Sequence, residues 1–170
     1  GFTTDEFLFK LTDAIGKGNV QESIRLIDEL INNGKDIHQF LKDLINHFRN
    51  LMISKITPNL EGLINMSQES IDRIRAQGEG FKLNTIIRYI DILSGYDREI
   101  RWSNQPRALL ELAVIKLLQP ELDDSHEGLI DRIEKLENKI RELEANGFSA
   151  RKEEGYKPEK RQKEIPISDD

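Results

Sequence analysis

No cysteine occurs in the 170 residues. That excludes disulfides, thiolate metal sites and cysteine nucleophiles, and it is compatible with a cytoplasmic setting. Positive charge is not in excess: 25 Lys and Arg stand against 31 Asp and Glu, a net of -6. An acidic chain gains little from phosphate contacts, so direct nucleic-acid binding is not expected. The opening "GFTTDEFLFK" has no basic region followed by a long apolar run. It therefore predicts neither a signal peptide nor a membrane span. The chain also does not begin with Met, which suggests a piece of a longer protein. Alternating apolar and polar positions, the mark of a half-buried strand, are absent throughout.

Helical periodicity is what the chain has instead. Thr3 and Glu6 form a capping-box pattern, followed by Phe7, Leu11, Ala14 and Ile15 at helical spacing. "GKGN" at 16–19 ends that helix. Asn19 with Glu22 opens the next, whose stripe reads Val20, Ile24, Ile27 and Ile31. Gly34 suits the left-handed position after a helix. Asp36 with Gln39 starts a third, long helix with a wide apolar face through Phe40, Leu44, Phe48 and Leu51. "TPNLEGLINMS" is a loop broken by Pro58 and Gly62, and Ser67 is placed to cap a short helix with Ile71 and Ile74. From about Leu83 another helix runs through Ile86, Ile90, Leu93 and Ile100 to Trp102. Pro106 fits the first turn of a sixth, where its missing N–H is not needed.

The composition changes after residue 119. "ELDDSHEG" is acidic, and residues 120–126 read as a linker. Residues 127–145 then carry Leu129, Ile133, Leu136, Ile140 and Leu143 at 4-3-4-3 spacing, the seam of a coiled coil. Residues 146–170 read as a disordered, charged tail. The expectation is an all-α protein: a compact bundle of about six helices over residues 1–119, then a short heptad helix and the tail.

Catalytic motifs are hard to find. There is no G-x-x-x-x-G-K-[ST] phosphate loop, no G-x-G-x-x-G and no H-E-x-x-H. His38, His47 and His126 lack the further ligands a zinc site needs, and read as surface or capping residues. Asp123-Asp124 and Glu153-Glu154 read as solvated linker charge. "RKEEGYKPEKRQK" mixes basic residues with one Tyr, but it belongs to a tail, residues 147–170, that holds six basic and six acidic residues, so nucleic-acid contact there is not favoured. No catalytic, cofactor-binding or metal-binding residue is assigned.

Residues 98–118, "REIRWSNQPRALLELAVIKLL", stand out. From Ala108 to Leu118 only Glu111 and Lys116 are charged, so this helix should be surrounded by other helices. Arg107 and Glu111 are i,i+4 neighbours and can pair. One reading is a core helix with its carboxylate satisfied by that arginine. The other is that part of its surface meets another subunit, since the corner from Trp102 to Arg107 supplies the aromatic and arginine side chains that interface cores favour. If Trp102 is buried, Trp102→Ala should cost about 3–5 kcal/mol.

Residues 11–55, with Gly34-Lys35-Asp36, Phe48-Arg49 and Leu51-Met52, resemble the C-terminal collar domain of the tau/gamma subunit of bacterial DNA polymerase III, the clamp-loader ATPase. "PNLEG" at 58–62 and residues 90–117 extend the match, with the spacing of Trp102, Asn104, Pro106, Arg107 and Glu111 its most specific part. The resemblance covers residues 1 to about 119; the heptads and tail look like the tau-specific region of low-GC Gram-positive bacteria. It implies a non-catalytic scaffold whose collars pack side by side in a five-subunit ring with other tau/gamma copies, delta and delta-prime. That ring loads the sliding clamp in DNA replication. ATP and Mg would belong to ATPase modules lying elsewhere in the full-length protein. It also implies, as an alternative, a helical adaptor in which the heptad helix and tail bind the replicative helicase or the polymerase III alpha subunit.

Overall fold

A computed structural model describes residues 1–122 and 126–147. Seven α-helices and one short 3-10 turn are present among the described residues, with no strand: α1 (Thr4–Gly16), α2 (Val20–Asn32), α3 (Ile37–Ile56), α4 (Gln68–Glu79), α5 (Leu83–Trp102), α6 (Pro106–Leu118), the turn Pro120–Leu122, and α7 (His126–Ala145). The all-α expectation of six helices and a following heptad helix is met. The chain divides into two units, 1–135 and 136–170. The expected disordered tail falls, from residue 148 on, outside the described residues, as do Asp123-Asp124, Glu153-Glu154 and "RKEEGYKPEKRQK".

The helix starts follow from their caps. Thr3 Oγ1 accepts the Glu6 amide at 3.2 Å while Glu6 accepts the Thr3 amide at 2.7 Å. Asn19 receives Glu22 N–H at 3.0 Å, Asp36 receives Gln39 N–H at 2.6 Å and Ser67 receives Ser70 N–H at 3.2 Å. Each bond satisfies one of the amides a first helical turn leaves open. Gly34 has φ +72°, a conformation that costs a side chain with a Cβ, and Pro106 occupies the first turn of α6.

In the first unit α3 packs mainly on α5 and α4, α5 on α6, and α1 on α2, with α6 also meeting α1, α2 and α3. The core is contributed by all six of these helices; Leu41, Leu44, Phe48, Leu51, Ile74, Ile86, Leu93, Leu110, Ala113 and Val114 are fully enclosed. Phe48 sits in an aromatic cluster, edge-on to Tyr89 at 5.2 Å and Phe81 at 6.5 Å between ring centres. Enclosure pushes the Tyr89 phenol up to about 12. Phe81 in turn lies so close to the end of α1 that a Cβ on Gly16 would meet its Cζ at 2.6 Å.

Two expectations need correcting. The buried side of α2 is Ser23, Leu26, Ile27 and Leu30, whereas Val20 at the start of the expected stripe is exposed. Val20 is the first residue of the helix and has no packed turn beneath it. His47 is enclosed rather than at the surface or a cap. It lies against Phe9 and Phe48, with its Nε2 2.7 Å from Gln77 Oε1. The Gln77 amide donates to Phe9 O at 2.9 Å and Asp13 Oδ1 at 2.7 Å, which turns its oxygen toward the ring and makes Nε2–H of His47 the donor. Burial lowers the His47 pKa, opposed by the Gln77 bond.

Candidate interaction surface

The corner between α5 and α6 is built by a change of backbone direction over four residues. Ser103 leaves the helix in an extended conformation and its Oγ accepts the Gln105 amide at 2.9 Å. Pro106 then starts α6. At this corner Trp102 is 81% exposed. The burial on which a large destabilisation by Trp102→Ala depended is therefore absent: Trp102 is the last residue of its helix and projects beyond the packed turns. Asn104 is also exposed, and Pro106 is half-buried. Pro106 lines a recess of about 490 Å³ together with Ile100, Ser103 and the turn Gly34–Ile37. His38 at the start of α3 closes on Asp97 of α5, with Nε2 2.9 Å from Oδ1.

Arg107 does more than pair within its helix. Its Nε donates to Glu111 Oε1 at 3.0 Å, as the spacing suggested, and its Nη2 lies 2.9 Å from Asp28 Oδ1 on α2. Glu111 first and Asp28 second raise the Arg107 pKa. The guanidinium thus links the start of α6 to α2 at the surface. Asp28 could not be found from local sequence, because it lies on a different helix.

The composition of α6 resolves into two faces. Leu110, Ala113, Val114 and Leu117 are buried. Ala108, Leu112 and Ile115, at i, i+4 and i+7, share the other side of the helix; Ala108 is exposed, Leu112 is 42% exposed and Ile115 is half-buried. A surface helix normally places charge there. This one leaves apolar side chains open to solvent near an exposed tryptophan corner.

The other residues singled out by sequence lie elsewhere. Phe48 belongs to the core, and Arg49 is exposed at the rim of a polar cleft of about 580 Å³ that Asp5, Asp43, Asn46 and Asn50 also line. The heptad positions Leu129, Ile133, Leu136, Ile140 and Leu143 are 45–59% exposed.

Sequence reasoning missed Arg88, a charged residue in the core. Its guanidinium donates to the carbonyls of Lys116 at 3.2 Å and Leu117 at 2.9 Å, the last turn of α6, and lies 3.8 Å from Asp131 of α7. A cation there answers both the open carbonyls and the negative end of the helix dipole. Among the described residues, no three His, Asp or Glu side chains gather where they could hold a metal ion, and no helix is long and apolar enough to cross a membrane.

Residues 1–132 match the family described as DNA polymerase III subunits gamma and tau domain III. The chain is 28% identical to DNA polymerase III subunit tau of Bacillus subtilis, over 98% of its own length and 30% of that protein. It is 27% identical to DNA polymerase III subunit gamma/tau of Mycobacterium tuberculosis, over 82% of its length and 25% of that protein. It therefore spans under a third of these relatives. The DNA clamp loader delta protein of Bacillus subtilis shares the fold, with a TM-score of 0.56 at 19% identity over 68% of this chain and 37% of the other. The chain belongs to the family of DNA polymerase III gamma and tau domain III.

Proposed function

We propose that this domain is a non-catalytic assembly module of the replicative clamp loader. It packs with the corresponding collar domains of other tau/gamma copies, delta and delta-prime to hold the ring that loads the sliding clamp. ATP hydrolysis belongs to other parts of the full-length protein. The observation that carries this reading is the open apolar surface of α6 and the α5–α6 corner: Leu112 and Trp102 are large apolar side chains left exposed on helices that each pack one face in the core. A large exposed aromatic at a corner that also carries an arginine, here Arg107, is the composition of a protein-binding patch. The shared fold with a delta protein supports collars of one architecture packing side by side.

The test is sedimentation equilibrium of the chain over a concentration series, alone and mixed with the delta and delta-prime subunits. Reversible association that Leu112→Arg weakens, without loss of thermal stability, is expected. A monomer at every concentration and in every mixture overturns the reading.

A further inference from the structure

We propose that α7 pairs with α7 of a second copy of this chain as a parallel, in-register, two-stranded coiled coil. Among the described residues, the start of α7 approaches α5 from one side of the helix. Gly128 is buried, Asp131 Oδ2 lies 3.8 Å from Arg88, and Glu134 Oε2 accepts from Lys82 Nζ at 2.9 Å. At 3.6 residues per turn, positions 128, 131 and 134 fall on the side opposite Leu129 and Ile133. Leu129 and Ile133, the start of the apolar seam, thus lie on the side away from these contacts, and all five seam side chains are about half exposed.

The identity of the occupant follows from the register. The 4-3-4-3 spacing places Leu129, Leu136 and Leu143 at d and Ile133 and Ile140 at a. Isoleucine at a with leucine at d favours a parallel dimer over higher orders. The flanking positions agree. Arg132 and Lys139 fall at g, Glu137 and Glu144 at e, and all four are exposed. In a parallel pair each g residue faces the e residue five positions on in the other strand, so Arg132 meets Glu137 and Lys139 meets Glu144 of the second copy. In an antiparallel pair g faces g and e faces e, which sets like charges together. The helix is complementary to itself in one orientation. With little more than two heptads the pairing is marginal alone. It draws on the collar assembly proposed above to raise the local concentration of α7.

The absence of native cysteine allows a clean test on the 170-residue chain. Ile140→Cys at position a and Asn138→Cys at the outward position f are oxidised separately. Ile140→Cys should yield disulfide-linked dimer at least about fivefold more than Asn138→Cys, because equivalent a positions meet across a parallel, in-register pair and f positions point away from it. Equal yields, or none from either, overturn the proposal. The double variant Arg132→Glu/Lys139→Glu should lower the yield at Ile140→Cys, and mixing it with Glu137→Lys/Glu144→Lys should restore it. Failure to restore overturns the parallel assignment. Capture of a helicase or polymerase helix by α7, with no self-linking, overturns it in favour of the adaptor. Linking at Ile140→Cys that is unaffected by Leu112→Arg counts against the collar reading alone. Association that Leu112→Arg removes, with no linking at Ile140→Cys, counts against the coil alone.

Discussion

Arg88, enclosed on α5, donates from Nη2 to the carbonyl oxygen of Leu117 2.9 Å away, at the end of α6. Its neighbouring bond to Lys116 O makes the guanidinium the cap of that helix. Removing it leaves two carbonyls in a dry site and takes from Asp131 one of its two neighbouring cations, the other being Lys135 at 3.7 Å. Arg88→Met, which keeps most of the volume, should destabilise the domain by about 2–4 kcal/mol. Arg88→Lys, which keeps the charge and loses the planar fork, should fall between Met and wild type. Urea unfolding of the three proteins checks the order; a Met variant as stable as wild type would show that the cap contributes nothing.

Acidification should weaken the domain through His47. Its pKa is lowered in the folded protein because burial disfavours the imidazolium. The unfolded chain, with an ordinary histidine near 6.5, then binds the proton more readily. The contribution is therefore fully present above about pH 6.5 and is lost as pH falls from there through the folded-state value. His47→Gln, uncharged at all pH, should lose less stability than wild type between pH 7.5 and 5. Parallel stability curves for the two proteins across that range would refute the assignment.

The end of α1 is crowded at position 16. A Cβ there would lie 2.6 Å from Phe81 Cζ, and Phe81 is itself held by Phe48 and Tyr89. Gly16→Ala should gain a little helix propensity and lose more to displacement of the ring, a net cost of about 1–3 kcal/mol. Adding Phe81→Leu should make the two changes less than additive, since both act on one contact. Full additivity in a thermal-melt cycle would mean that the ring is not what Gly16 accommodates.

The parts of this fold that were legible in sequence are those whose partners lie close by. Thr3, Asn19, Asp36 and Ser67 each find an acceptor or donor three residues on, so the cap and the helix start are written in the same few letters. Arg107 with Glu111 belongs to the same class. Arg88 was invisible because its carbonyl partners are 28 and 29 residues away and belong to the backbone, which has no sequence signature. His47 needed Gln77, 30 residues on, and Gln77 needed Phe9 and Asp13. Trp102 exposes a different limit. Its residue type says that it is valuable buried, and only its place at the last turn of α5 decides whether that burial happens within the chain.

That placement separates folding from assembly. Trp102 is 81% exposed, so Trp102→Ala should change the unfolding free energy by no more than about 0.5 kcal/mol. If the corner is buried between collars, the same substitution removes an aromatic anchor of the kind that carries a large share of binding energy, and association should weaken by about tenfold or more. Paired measurements on one preparation, a thermal melt at low concentration and sedimentation equilibrium at high concentration, separate the two effects. A lowered melting temperature with unchanged association would return Trp102 to the core; unchanged values in both would remove the corner from the interface.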